Sequence, residues 1–138
     1  MTKEEIYKLG ELGYSYYEIR EKIEQANKCY PVKPIKPKLA DSHTAKEAIR
    51  YAELLAQYES DLAKYEKESD EIYKYNCNLN ELFREYLKDK SGFNSLSQEE
   101  QSLVIDLTYS LNLYDNGLIQ DYESIESIVN FINKLKSL

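Results

Sequence analysis

The sequence predicts an all-α fold, and three observations lead to this prediction. Residues from about 45 to 90 repeat with a 3-4-3-4 spacing that gives the a and d positions of a heptad. No alternating run of apolar and polar residues is long enough for a strand. Four helix starts are marked by a Ser or Thr followed three residues later by Glu: Thr2–Glu5, Ser15–Glu18, Thr44–Glu47 and Ser97–Glu100.

We therefore expect a single helical domain over residues 1–138. Its predicted parts are an N-terminal helical hairpin (1–28), a proline-rich strap (29–43), one long heptad-patterned helix (44–91) and an acidic C-terminal helical hairpin (95–138).

The N-terminal hairpin is predicted from two capped helices with a glycine between them. The first helix should cover residues 3–12 and end at Gly13, because glycine adopts the left-handed conformation that closes many helices. The second should cover residues 16–27, with Ile19 and Ile23 on its inner face.

The strap is predicted from prolines at every third position, Pro31, Pro34 and Pro37. Polyproline II has three residues per turn, so the prolines form one ridge while Val32 and Ile35 form another. We expect the strap to cross the long helix with Val32 and Ile35 facing inward. An alternative is an exposed ligand of the SH3 type, because the segment beginning at Lys28 reads Lys-x-x-Pro-x-x-Pro.

The long helix should present its heptad seam to another helix. A continuous helix of this length would extend about 70 Å at roughly 1.5 Å per residue, so two alternatives stay open. Either it bends or breaks near Ser69–Asp70, where the seam becomes polar at Ser69 and Asn76, or it projects and pairs with a second copy in a homodimer. The residues predicted to form the oligomer seam are Tyr51, Leu55, Tyr58, Leu62, Tyr65 and Ile72.

The C-terminal hairpin is predicted from two apolar stripes joined by an Asn116-Gly117 turn. The first helix should cover residues 98–113 and the second residues 122–136. The stripes that we expect to pack are Leu103, Val104, Leu107 and Leu111 in the first helix, and Ile125, Ile128, Val129, Ile132 and Leu135 in the second.

Charge narrows the classes of partner. The net charge is −7, with +2 on residues 29–43 and −5 on residues 91–138. Nucleic acids and anionic membranes bind clustered cations, so neither is expected as a partner. No segment has the length and apolarity of a membrane span or signal peptide, and we expect a cytoplasmic protein.

No set of residues with catalytic, metal-binding or phosphate-binding spacing is present, so we expect no enzyme activity and no cofactor or metal. His43 is expected to be a solvated loop residue. Cys29 and Cys77 lack a CxxC spacing, and their redox state stays open.

A binding surface is predicted from the fourteen tyrosines and the acidic C-terminal third. Tyrosine offers a large contact area at low entropic cost, and acidic helices complement cationic grooves. The partner-binding residues that we predict are Tyr14, Tyr16, Tyr17, Asp106, Asp115, Asp121, Glu123 and Glu126.

Residues 6–23 resemble helix-turn-helix units of the resolvase type in the order Leu12-Gly13-Tyr14-Ser15-x-x-Glu18-Ile19. This resemblance implies an alternative function, a DNA-binding regulator that uses residues 16–27. Its phosphate contacts would be Arg20, Lys22 and Lys28.

The chain also resembles small helical accessory proteins of phages and prophages of low-GC bacteria. The matching residues are Tyr58-Glu59, Tyr65-Glu66, Tyr73-x-Tyr75-Asn76, Leu82-Phe83, Leu87 and Phe131-Ile132-x-x-Leu135. The resemblance implies a non-enzymatic accessory role, which we interpret as that of an inhibitor that occludes a host protein. The partner would be a host or phage protein.

Overall fold

The structure, a computed structural model, describes residues 1–111 and 117–138. Within these ranges the chain is helical and contains no strand, which confirms the all-α prediction. The elements are α1 (Lys3–Glu11), α2 (Tyr16–Ala26), α3 (Ala45–Lys90), a 3₁₀ turn (Phe93–Ser95), α4 (Gln98–Ser110) and α5 (Leu118–Lys136). The chain divides into two compact units, residues 1–27 with 78–138, and residues 28–77.

The four predicted helix starts are confirmed by hydrogen bonds. Thr2, Ser15, Thr44 and Ser97 each accept, through the side-chain oxygen, the backbone N–H three residues later. At Ser15 and Ser97 the Glu three residues on also accepts the backbone N–H of the capping residue. These reciprocal bonds satisfy amides that have no partner within the helix.

Gly13 ends α1 as predicted. Its φ of +93° places it in the left-handed region. The N–H of Gly13 donates to the carbonyl of Gly10, and the N–H of Tyr14 donates to that of Leu9. This pair of bonds is the Schellman arrangement, and it turns the chain from α1 into α2.

α5 begins at Leu118, four residues before the predicted start. Gly117 precedes it with no side-chain cap, so the sequence lacked the hydroxyl signal that identified the other starts. The predicted turn at Asn116 and the predicted end of the preceding helix at 113 lie outside the described residues.

The first unit holds the core of the molecule. The buried apolar residues are Ile6, Ile19, Ile23, Leu79, Phe83, Tyr86, Leu87, Leu96, Val104, Ile119, Tyr122, Ile125 and Val129. Tyr86 lies at the centre of an aromatic cluster, with edge-to-face contacts to Tyr7 at 5.1 Å and to Tyr16 at 6.1 Å between ring centroids. The cluster joins α1 and α2 to the last turns of α3.

α3 is continuous over 46 residues and does not break at Ser69. Of the two sequence-based alternatives, the break is therefore wrong. The run of Ala, Leu, Glu, Lys and Gln favours an uninterrupted helix, and neither Gly nor Pro occurs between residues 45 and 90.

The second unit consists of the segment before α3 and the first part of α3 itself. None of its residues, 28–77, is buried, and all of them are described. Residues 28–44 have no regular secondary structure, and Pro31, Pro34 and Pro37 are half-buried. The backbone of Lys28 exchanges two hydrogen bonds with the side-chain amide of Asn76, at 2.9 and 3.1 Å.

The prediction that Val32 and Ile35 face inward is wrong, because these side chains are 92% and 91% exposed. Pro31, Pro34 and Pro37 are less exposed than these two side chains. Proline has no backbone N–H, so the proline ridge can be covered without leaving a donor unsatisfied. The Val–Ile ridge is left in solvent.

Candidate protein-binding groove

α4 and α5, which belong to the first unit, lie antiparallel and bury only part of their apolar surface. Lys136 Nζ pairs with Glu100 Oε2 at 2.6 Å, which joins the end of α5 to the start of α4. Val104 of α4 and Ile125 and Val129 of α5 are buried. These three residues were all predicted to pack, and the prediction is confirmed for them.

The remaining apolar residues of the two predicted stripes are not buried. Leu103, Leu107 and Leu111 are 49%, 36% and 61% exposed. The prediction that the whole stripe of α4 packs in the hairpin is therefore wrong. Val104 and Thr108 point to the core, while the leucines lie on the neighbouring face of the same helix.

A groove of about 420 Å³ runs between the exposed faces of the two helices. It is lined by Leu107, Leu111, Ser124, Ser127, Ile128 and Phe131. Phe131 is 61% exposed, and Leu135, one helical turn later, is 53% exposed. Adjacent large apolar side chains at this exposure are typical of a contact surface rather than of scattered surface residues.

The exposed Glu123 borders this groove, because it lies one turn before the lining residue Ser127 on α5. Asp106 is also exposed, but as the sequence neighbour of Leu107 it lies about 100° away from that residue around α4. The surrounding residues 91–138 carry a charge of −5, with Lys134 and Lys136 as their only cations. The Lys136 ammonium and the Ser97 cap hold the pKa of Glu100 below its usual value, so Glu100 is negatively charged at neutral pH.

The three tyrosines predicted to bind a partner occupy different environments. Tyr14 and Tyr17 are 37% and 42% exposed. Tyr16 is half-buried and packs on Tyr86. Burial, together with hydrogen bonding to Glu126, raises the pKa of Tyr16 to about 12. Tyr16 therefore contributes to the fold of the first unit, while Tyr14 and Tyr17 are accessible.

The acidic residues predicted to bind a partner also differ in their exposure. Asp106 and Glu123 are exposed, and Glu123 lies beside the groove, whereas Asp121 and Glu126 are half-buried. The negative charge of Glu126 contributes to the raised pKa of Tyr16, so this carboxylate lies near the Tyr16 hydroxyl. Asp115 lies outside the described residues.

The cations of α2, which the DNA-binding alternative requires, contact neighbouring side chains. Arg20 pairs with Glu24 at 3.7 Å and lies 5.5 Å from the Tyr17 ring centroid. Lys22 Nζ lies 5.1 Å from the ring centroid of Tyr14. These contacts keep the cations at the surface, where each is balanced by an acidic or aromatic neighbour.

Residues with potential catalytic chemistry are dispersed. His43 Nδ1 lies 2.8 Å from the carbonyl oxygen of Ala40 in an exposed loop. Cys29 is exposed and Cys77 half-buried, and both are free thiols. Among residues 1–111 and 117–138, no three His, Cys, Asp or Glu side chains converge as a metal site. No helix in the same ranges has the length and apolarity needed to cross a membrane.

Sequence reasoning did not identify the groove, although its signal was present. In α5, Ile128, Phe131 and Leu135 follow a helical spacing of their own beside the buried Ile125 and Val129. The apolar stripe is therefore wider than one packing face requires. An excess of this kind indicates a second face.

Searches of protein-family models, curated proteins and solved structures find no match to this chain.

Proposed function

We propose that this chain is a non-enzymatic protein-binding accessory factor and that the groove between α4 and α5 is its main contact surface. Its class would be that of a phage or mobile-element inhibitor that occludes a host protein. The observation that carries the proposal is the apolar groove, which is open to solvent although it adjoins a well-packed core.

The shape of the groove favours a helix as its occupant. Two antiparallel helices form a trough into which the apolar face of a third helix can pack. Leu107 and Leu111 are one turn apart on α4, while Ile128 and Phe131 are nearly one turn apart on α5. Side chains at i, i+3, i+4 and i+7 of an incoming helix would meet both rows.

The charge around the groove favours an occupant with cations beside its apolar face. Glu123 lies one turn from the lining residue Ser127, and residues 91–138 carry −5. Charges at the rim of an interface chiefly set the association rate and the choice of partner, while the apolar centre supplies most of the affinity. We therefore propose an amphipathic helix with Lys or Arg flanks, presented by a host protein.

A pair of synthetic helices provides a direct test. Both peptides would carry the same apolar i, i+3, i+4, i+7 pattern, one with Lys flanks and the other with Glu flanks. Fluorescence anisotropy should show that the Lys-flanked peptide binds more tightly than the Glu-flanked peptide. Binding should weaken as salt is raised, because the Debye length falls to about 3 Å at roughly 1 M.

Matched variants locate the interaction. Leu107→Asp/Phe131→Asp should abolish binding, because a charge would replace an apolar contact on each side of the groove. Val32→Asp/Ile35→Asp replaces apolar residues that are still more exposed and lie outside the groove, and it should bind like the wild type. Equal binding of the two peptides, or retention of binding by the groove variant, would contradict the proposal.

The native partner can then be sought with the same variants. We expect the wild type and the Val32/Ile35 variant to capture the same host protein and the Leu107/Phe131 variant to fail. This result would support the groove as the contact surface. A gel shift with duplex DNA at two salt concentrations tests the alternative. A salt-sensitive shift lost in Arg20→Ala/Lys22→Ala, with no peptide binding, would favour the DNA-binding regulator.

A further inference from the structure

We infer that the heptad seam of α3 within residues 45–77 is a second interaction surface, that its partner is another copy of this chain, and that the proline segment is a removable cover over it. This inference is independent of the proposed function, because it concerns the second unit alone.

The seam is the least exposed face of this part of α3, yet it is only partly covered. Tyr51, Leu55, Tyr58, Leu62, Tyr65 and Ile72 are half-buried, whereas most of the residues between them are exposed. A packed helix normally buries its a and d side chains. Here no residue of 28–77 is buried, so the seam retains apolar surface that a second helix could cover.

The proline segment lies on this seam. Pro31 and Pro34 line a cavity of about 350 Å³ together with Tyr65, a seam residue, and the neighbouring Asp61. Asn76, another seam position, holds the start of the segment through its two hydrogen bonds to Lys28. Both bonds are exposed to solvent, and an exposed bond of this kind exchanges readily with water.

A second copy of the chain is the occupant that the pattern favours. A heptad seam is self-complementary, because a and d side chains of one helix fit between those of an identical helix. Ser69, at a d position, has a hydroxyl that is shielded from solvent and finds no hydrogen-bond partner among the described residues. Polar d residues such as Ser69 and Asn76 restrict the registers that are allowed and therefore the choice of partner.

The affinity of the dimer should depend steeply on how often the proline segment leaves the seam. Each protomer must release its proline segment before the seams can meet. The apparent dimer dissociation constant therefore depends on the square of the uncovered fraction. A variant that raises this fraction about tenfold should tighten the dimer about a hundredfold.

The test compares the two ridges of the segment by sedimentation velocity on the full chain. Pro31→Ser/Pro34→Ser removes inward-facing rings and introduces amide N–H groups that need partners, so the cover should loosen and a dimer should form. Ile35→Ser changes a side chain that is 91% exposed and does not line the cavity of about 350 Å³, so this variant should sediment as a monomer, like the wild type. Asn76→Ala, which removes both bonds to Lys28, should move the equilibrium in the same direction as the proline variant.

A seam variant distinguishes this dimer from any other association. Leu55→Asp/Leu62→Asp, introduced into the Pro31→Ser/Pro34→Ser chain, should restore the monomer. Circular dichroism at each step verifies that α3 is still helical. The inference is overturned if the proline and Asn76 variants are both monomeric, if the dimer survives the seam substitutions, or if the wild type dimerises as tightly as the variants.

Discussion

Replacing Gly10 by Ala tests whether the aromatic cluster fixes the packing of α1 against α3. A Cβ at Gly10 would overlap the hydroxyl oxygen of Tyr86 and would lie 3.0 Å from its Cζ and 3.2 Å from its Cε2. Tyr86 is 3% exposed, so its ring has little room to move away. Glycine is therefore required here by close approach, since a side chain in this place would displace the ring.

The expected loss of stability follows from two opposing effects. Forcing a methyl group into a packed site costs about 1–3 kcal/mol. Alanine in a helix favours the folded state by up to about 1 kcal/mol relative to glycine. We expect Gly10→Ala to destabilise the first unit by about 1–2 kcal/mol, measured as the free energy of unfolding in urea. With an m value of about 1–3 kcal/mol/M, the midpoint should fall by about 1 M.

The Tyr86 hydroxyl should account for most of this effect. In a Tyr86→Phe background the overlapping atom is absent, and the Gly10→Ala cost should fall below about 1 kcal/mol. Gly13→Ala is the matched control. A Cβ added at Gly13 would have no atom within 4 Å, but the φ of this residue is +93°. Backbone strain should therefore make the Gly13→Ala protein less stable by about 1–2 kcal/mol in both backgrounds. Two outcomes would contradict the steric explanation: a Gly10→Ala protein as stable as the wild type, or an equal Gly10→Ala cost with and without the Tyr86 hydroxyl.

Three further predictions concern titration, the proline segment and a helix cap. Tyr7 and Tyr16, whose pKa values are raised to about 12, should ionise about two pH units later than exposed tyrosines in a near-ultraviolet titration. Because the unfolded chain loses these protons near pH 10, the contribution of Tyr7 and Tyr16 to stability should be constant below about that pH and fall as pH rises toward 12. A single transition near pH 10 for all tyrosines would contradict this. Val32→Asp/Ile35→Asp should leave the melting temperature unchanged, since both side chains are in solvent, and a drop of several degrees would show that the outward ridge packs. Ser97→Ala should cost about 1 kcal/mol in urea unfolding through loss of its cap, and an unchanged midpoint would mean that the cap does not stabilise α4.

Local chemistry made the helical framework predictable. A capping hydroxyl, such as that of Ser15, stabilises a helix start wherever it occurs, because it acts on amides within the next turn. Gly13 acts in the same local way at a helix end. The start of α5 at Leu118 was misplaced because Gly117 offers no such hydroxyl.

The candidate groove was less predictable, because apolar spacing shows which residues share a face but not what covers that face. Leu107 and Val104 belong to one predicted stripe, yet only Val104 is buried. Likewise, Tyr16 and Tyr17 are adjacent in sequence, but only Tyr16 reaches the ring of Tyr86. These outcomes depend on contacts with other helices and not on local pattern.

The all-α class and four of the helix starts could be read from the amino-acid order alone, because each depends on residues within a few turns of one another. Which residues of the proline segment are exposed could not, since exposure depends on what surrounds the segment in the folded chain. Val32 and Ile35 lie in solvent while Pro31 and Pro34 are half-buried, although both ridges are apolar. When a residue is covered, its backbone is covered with it. Proline has no backbone N–H, so covering a proline leaves no N–H donor without a hydrogen-bond partner.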